Sequence, residues 1–455
     1  MEGDPVFQKG KALGALLISA AMVITGCSSS TATTASGGST PGAGTAAPGA
    51  VNIVLWHMEQ PTNRVQRFQQ VIDQFNNTHP TIHVTQQVQD WNQIYTKIAA
   101  AVTSRTQPDI LFTIPDFTTY VRTTGGVQPV TSLVQDLDSK HHFLAAATAA
   151  YHDGGEYWAV PLYGMVQMLW YRKDMFTKAS IANAPATWDE MLADAAKLTS
   201  GNVHGVVLPA GKNLATDQVI YSVMTTAHAE NLYDDQGKIA FDNPNTVRTF
   251  DFYNKLLQYS AVDSANYSWG EPQAAFNNGS AAMAIEKGQY LTPFTSESGQ
   301  PASSLGCAPI PQPATNGQPG SIYYSNAAMV MSTDSAKRAA DDEFLKYLLE
   351  PDTYGTFLNA EPGLFLPVTQ DGQTASSWLS DPIVTQYKSC VDMMMKQSES
   401  GMLFGFTHGQ YQNSIGSISG QNIIAQTIQK MYIDKAKPQD AVTWGAQQME
   451  AAIKK

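Results

Sequence analysis

Residues 52–112 read NIVLWHMEQPTNRVQRFQQVIDQFNNTHPTIHVTQQVQDWNQIYTKIAAAVTSRTQPDILF. The apolar spacing changes period along this stretch. Asn52 to Trp56 (NIVLW) has the form of a short buried strand bounded by a polar turn, Ile82 to Val88 alternates as a strand, and Ile110 to Phe112 follows the breaker Pro108-Asp109. Between them, Arg64 to Asn77 places Val65, Phe68, Val71, Ile72 and Phe75 at helical spacing, and Trp91 to Val102 does the same with Ile94, Ile98 and Val102. Strand, helix, strand, helix, strand in this order implies a parallel sheet covered by helices. Such sheets bind ligands beyond the carboxyl ends of their strands. The loops after Trp56, Val88 and Phe112 are therefore where a site is expected.

Upstream the composition changes. Lys9 and Lys11 precede an apolar run from Ala12 to Ile24, which is short for a spanning helix and has the form of a secretory signal. The run ends in Ile24-Thr25-Gly26-Cys27, which resembles a bacterial lipobox. Residues 1–26 are thus expected to be a signal peptide and Cys27 the lipidated residue. Residues 27–50, nearly all Ser, Thr, Ala, Gly and Pro, are expected to be a flexible tether. A lipid on Cys27 would hold the folded part at the outer face of the cell membrane without spanning it.

The chain has 455 residues, of which some 400 follow the tether, enough for two lobes. A net charge of −12 argues against nucleic acid and against a basic membrane-binding face. Of three cysteines, Cys307 and Cys390 remain beside Cys27. They are free to pair in an oxidising exterior or to stay as buried thiols, and spacing does not choose between these.

Five further segments, in order, join the opening stretch. Gly154–Phe176 (GGEYWAVPLYGMVQMLWYRKDMF) ends in Tyr-Arg-Lys-Asp-Met-Phe; Ala186–Leu198 (ATWDEMLADAAKL) opens on a capping box, with Thr187 as N-cap and Glu190 three residues on. Phe276–Ile285 (FNNGSAAMAI), Cys307–Pro311 (CAPIP) and Ala336–Leu349 (AKRAADDEFLKYLL) with Phe365-Leu366-Pro367-Val368 complete the set. Together they resemble the extracellular solute-binding proteins of the family that includes maltose-binding protein, over nearly the whole chain after the tether. The resemblance implies a two-lobed α/β fold of the periplasmic-binding-protein type (class II topology), each lobe a mostly parallel sheet flanked by helices. Three hinge crossovers would lie near Leu162, Ser325 and Pro367. The first lobe would take residues 51–161 plus 326–367, the second 162–325 plus 368–455. Two departures stand out: Arg172 occupies a usual Asn position, and Tyr323-Tyr324-Ser325-Asn326 is bulky where the second crossover is often glycine-rich.

The resemblance further implies a receptor, active as a monomer, that hands a carbohydrate-like solute to the permease subunits of an ABC importer. A sugar offers apolar C–H faces for aromatic rings and paired hydroxyls for planar polar side chains. Residues of those types stand on the expected cleft loops. Trp56 and Glu59 follow the first strand, Asp90 and Trp91 the second, and Asp116 the third. Tyr163 is placed just past the first crossover, Trp269, Gln289 and Tyr290 flank the strand containing Met283, Tyr324 and Asn326 lie on the second crossover, and Phe404 sits in a late Gly-punctuated loop. The resemblance favours Asp116, Tyr163 and the Gln289-Tyr290 pair as contacts. Each residue also has a structural alternative: Asp90 and Asp116 are good helix caps, and Trp56 ends a buried strand.

No Gly-x-Ser-x-Gly, His-Glu-x-x-His, Walker loop or Cys-x-x-Cys is present. No catalytic residue, cofactor or metal is expected. Three alternatives keep the fold and change the solute. Adjacent Tyr323-Tyr324 suggests ferric ion, but neighbouring strand residues face opposite sides. A glycerol phosphate derivative would want arginine on the cleft loops, where none is expected, and a polyamine is the third. An anchored glycoside hydrolase, with two essential carboxylates, is the remaining reading.

Overall fold

The computed structural model describes residues 47–407 and 410–454, so Cys27 and most of the expected tether lie outside the described residues. The first elements are β1 (Val51–His57), α1 (Thr62–Thr78), β2 (Ile82–Val88), α2 (Ile94–Ser104), β3 (Ile110–Thr113) and α3 (Pro115–Thr123). α1 turns Phe68, Val71, Ile72 and Phe75 inward, the face its period indicates. Burying each of these side chains is worth about 1.5–3 kcal/mol. α2 begins three residues later than expected. The Asp90 carbonyl accepts from Gln93 N and Ile94 N at 3.0 and 2.9 Å, and its carboxylate accepts from Asn92 N at 2.7 Å, so Asp90 to Gln93 form a turn.

Four strands beyond these matter for the site: β4 (Val160–Val166), β5 (Met168–Arg172), β6 (Met283–Glu286) and β7 (Leu305–Ala308). The helix α4 (Leu214–Thr225), the strand β8 (Tyr323–Val330) and the helix α5 (Lys388–Glu399) complete the frame. The first sheet has the order β2-β1-β3-β8-β4. β1 pairs in parallel with β2 (Val51 with Ile82) and with β3 (Leu55 with Ile110), whereas β8 runs antiparallel to both β3 and β4. The second sheet, β6-β5-β7, is antiparallel throughout. The expected mostly parallel arrangement thus holds for β2-β1-β3 only. Among the described residues of the second lobe, parallel pairing is confined to isolated bridges such as Val207 with Ala284. The capping box at Thr187 and Glu190 forms as expected.

The crossovers sit elsewhere than the sequence suggested. β4 belongs wholly to the first sheet and β5 to the second, so the first crossover is Gln167 rather than Leu162. β8 lies in the first sheet from Tyr323, which moves the second crossover back to Ser321 and Ile322. The two are tied together: Gln167 N donates to Ser321 Oγ, and Ser321 Oγ donates to Gln167 O, each at 2.9 Å. The third crossover moves in the other direction. Leu366 bridges Gly164 and Thr369 bridges Phe143, so the chain is still on the first lobe past Pro367. It reaches the second lobe at α5, where Cys390 is bonded to Cys307 on β7 with a Cα–Cα distance of 5.9 Å. This pairing decides what the cysteine spacing left open.

Candidate functional site

In the first sheet β2 and β3 flank β1 on opposite sides, so successive connections from β1 diverge at its carboxyl end. A crevice is expected there, and one is found. A cavity of about 540 Å³, within the usual size of small-molecule sites, opens between the two lobes. Its first-lobe wall is the loop after β1 (Met58 to Pro61), Arg64 on α1, the turn Asp90 to Asn92 and Ile114. Its second-lobe wall is Gln218 on α4, residues 268–271 and Gln273, and Lys287 and Gln289 after β6. Met165, Tyr324, Asn326 and Leu364 line it from β4, β8 and the segment that returns toward the third crossover.

Both cations of the cavity lining, Arg64 and Lys287, are held by carboxylates. Arg64 Nη1 lies 2.7 Å from Glu59 Oε2, and its Nε lies 2.9 Å from Glu361 Oε2. Tyr163 OH donates to Glu59 Oε1 at 2.9 Å, so both oxygens of that carboxylate are engaged. On the opposite wall Lys287 Nζ donates to Gln218 Oε1 at 2.7 Å, pairs with Glu286 at 3.3 Å and stands 5.5 Å from the centre of the Trp269 ring. The lining carries three carboxylates (Glu59, Asp90, Glu271) against two cations (Arg64, Lys287). Four lining residues carry a buried polar atom with no partner among the described residues: Ser268 Oγ, Trp269 Nε1, Gln289 Oε1 and Asn326 Nδ2. Buried polar atoms are normally bonded, so this set fits a polar guest. Among the described residues no three His, Cys, Asp or Glu side chains are grouped as metal ligands.

Residues 60–354 match the pattern of the bacterial extracellular solute-binding protein family. The chain belongs to this family. A protein of Escherichia coli (strain K12), provisionally named an ABC transporter periplasmic-binding protein, is 21% identical over 392 residues, covering 85% of this chain and 89% of that protein. Among solved structures, maltose-bound T. maritima MalE3 superposes with a TM-score of 0.75 at 17% identity, over 88% of this chain and 99% of that one. A solute-binding protein from Thermotoga lettingae TMO, bound with alpha-D-tagatose, also gives 0.75 at 20% identity, over 89% and 100%. At these identities the structural likeness establishes the two-lobed α/β fold. The family is one of extracytoplasmic receptors of ABC transporters rather than of catalysts, and no helix among the described residues is long and apolar enough to cross a membrane.

In this solute-binding protein, seven of the residues singled out from sequence line the cavity: Glu59, Asp90, Trp91, Trp269, Gln289, Tyr324 and Asn326. Five do not. The Trp56 side chain folds back on its own lobe, donating from Nε1 to Gln87 Oε1 at 2.8 Å beneath Lys97. Tyr163 lies on β4, its ring packed 4.0 Å from that of Phe365, and acts on the site through Glu59. Tyr290 is enclosed between Trp170 and Phe276, with ring centroids 5.7 and 5.0 Å away, and Phe404 packs edge-on to Tyr221. Asp116 is fully buried, and its Oδ2 accepts from Ser419 Oγ and from Tyr95 OH. Burial pushes its carboxyl up to about 6, against the lowering effect of the Ser419 hydroxyl and backbone bonds.

Several lining residues were not anticipated. Arg64 lies on a cleft-facing helix start, against the expectation that no arginine would, yet it is committed to two carboxylates. Lys287 directly follows β6 and Gln60 lies within the loop after β1, positions that the strand-end rule covers. Gln218 carries no such signal, since every residue of α4 is buried and no exposed face marks which side meets the cavity. Of the adjacent tyrosines, Tyr324 lines the cavity and Tyr323 does not, which separates the pair that a ferric site would need.

Proposed function

We propose that this receptor captures a neutral, polyhydroxylated solute, a sugar or short oligosaccharide, between its lobes and delivers it to an ABC permease. The observation that carries this reading is the cavity itself. Trp91 stands on one wall and Trp269 on the other, with unpartnered amide, indole and hydroxyl groups beside them. Rings for C–H faces combined with planar groups for hydroxyls are the demands of a sugar. An excess of carboxylates over cations in the lining disfavours a phosphorylated solute, and the cations present are already paired. Maltose and tagatose are the solutes in the two similar structures described above, which agrees with the class without choosing within it.

A thermal-shift screen of the protein with mono- and oligosaccharides, glycerophosphodiesters, polyamines and ferric citrate tests the class, because a solute that binds only the native state raises the melting temperature. A shift with one carbohydrate class is expected, with the sugar recovered intact. Trp91→Ala and Trp269→Ala should each weaken it by about 30-fold, the roughly 2 kcal/mol of a buried aromatic contact. A shift only with a phosphorylated, cationic or ferric compound would overturn the sugar reading, and sugar cleavage would overturn the receptor reading.

Lipid attachment at Cys27 belongs to the same proposal. Growth with an alkyne-tagged fatty acid should label the wild-type protein and not Cys27→Ala, which should be released from the membrane fraction. Equal labelling of both would remove the anchor from this account.

A further inference from the structure

Residues 412–420 belong by chain to the second lobe and lie against the first. The segment is fixed to its own lobe on both sides. Ser414 Oγ donates to Tyr233 OH at 3.0 Å, and the Asp217 carboxylate of α4 accepts from Asn422 Nδ2 at 2.9 Å and Ala425 N at 2.6 Å. In between it crosses to α3. Asn413 Oδ1 accepts from Arg122 Nη1 at 3.2 Å. Gly416 packs so closely on α3 that an added Cβ would lie 2.4 Å from Thr119 Oγ1 and 2.9 Å from the Asp116 carbonyl. Ser419 Oγ donates to Asp116 Oδ2, the oxygen that Tyr95 OH also reaches at 3.3 Å. The other oxygen, Asp116 Oδ1, is buried with no hydrogen-bond partner among the described residues. None of these residues lines the cavity, although their neighbours Ile114, Gln218 and Tyr324 do.

We propose that Asp116 and Ser419 form an interlobe latch beside the solute cavity, so that Asp116 is a positioning residue for capture and the closed receptor takes up a proton that the open receptor releases. Asp116 is on the first lobe and Ser419 on the second, so separation of the lobes breaks their bond and lets water reach the carboxyl group. The groups that face Asp116 in the closed form are Tyr95 from α2, Tyr324 from β8, Asp217 from α4 and Ser419, all neutral or acidic. With no cation among them, an ionised carboxylate gains only hydroxyl and backbone donors for its lost hydration. The direction follows from linkage. An acid whose closed-state pKa lies above its open-state value favours closure as pH falls and opposes it as pH rises through about 6. Asp217 is also pushed up by burial, to about 7. Its hydrogen-bond partners Asn422 and Ala425 belong to its own lobe, so separation of the lobes breaks neither bond, but the Asp116 charge facing it adds to the rise and couples the two carboxyl groups in the closed form.

Small-angle X-ray scattering of the solute-free full chain tests the latch independently of which solute is bound. Between about pH 7.5 and about pH 5 the closing equilibrium should shift roughly tenfold toward the compact form, reversibly and without loss of fold. Asp116→Asn keeps the shape and should remove most of the pH dependence, leaving only what Asp217 contributes. Ser419→Ala removes a donor to the ionised form, so the transition should move to higher pH, a change that a purely structural contact would not produce. If Asp116→Asn does not fold, the Ser419→Ala midpoint decides. A wild-type radius that is flat across this range, an Asp116→Asn protein with the wild-type transition, or an unmoved Ser419→Ala midpoint would each overturn the proposal. None of these outcomes bears on the sugar assignment, which stands or falls with the thermal-shift screen.

Discussion

Replacing Arg64 with methionine should destabilise the first lobe by about 3–5 kcal/mol, the scale on which a buried ion pair fails when one member is removed. Arg64 is shared by Glu59 and Glu361, and both carboxylates are closed to water, at 7% and 4% exposure. Methionine keeps much of the aliphatic stem but loses the guanidinium, whose carbon stands 5.8 Å from the centre of the Phe365 ring, so the change removes the charge and this cation–π contact together. Glu361 would retain Asn63 Nδ2 at 2.8 Å and Glu59 would retain Tyr163 OH, neither of which neutralises a charge. The urea midpoint at neutral pH is the measurement. Adding Glu361→Gln to Arg64→Met should recover part of the loss, since it removes one of the two orphaned charges, and the pair should be strongly non-additive. Solute affinity should fall in the single variant, because the loop after β1 forms the cavity wall that Arg64 holds to α1. A wild-type midpoint in Arg64→Met would mean that water reaches both carboxylates.

This triad also marks where reading the sequence stops. β1, α1 and β2 are legible because their apolar spacing is local and their burial follows it: Phe68, Val71, Ile72 and Phe75 point inward as their period requires. The first crossover is hidden for the opposite reason. All seven residues of β4 are buried, and so are four of the five in β5. The apolar run therefore continues across the hinge, interrupted only by Gln167. A lone glutamine in such a run is the one local sign of the change of lobe.

The site divides in the same way. Asp90, Trp91 and Glu59 are found because they follow strand ends, and Trp269 because an aromatic residue in a polar loop needs a partner. Asp116 also follows a strand end, and it is withdrawn from the cavity by Ser419, 303 residues later in the chain. No local pattern encodes that contact. Arg64 is missed because it reads equally well as the exposed side of a helix, and its role appears only when Glu361, 297 residues away, comes within reach.

Breaking the Cys307–Cys390 bond, by Cys307→Ser with Cys390→Ser, should cost the second lobe about 4–5 kcal/mol. The bond closes a loop of 83 residues in sequence separation, and the entropy restored to the unfolded chain on losing such a link is of that order. The consequence reaches beyond stability. α5 is where the chain re-enters the second lobe after its third crossover, and the bond fastens that entry to β7. Val391 and Met394 bury the same face of α5, so the helix should stay docked without the bond, held by packing alone. Guanidinium unfolding of the wild type with and without reductant, and of the double serine variant, should therefore show equal losses in the reduced and substituted proteins. Adding the change to Arg64→Met should give a nearly additive loss, because the two sites lie in different lobes and share no partner. Equal midpoints with and without reductant would instead mean that the unfolded chain already holds residues 307 and 390 close, so that the bond removes little freedom from it.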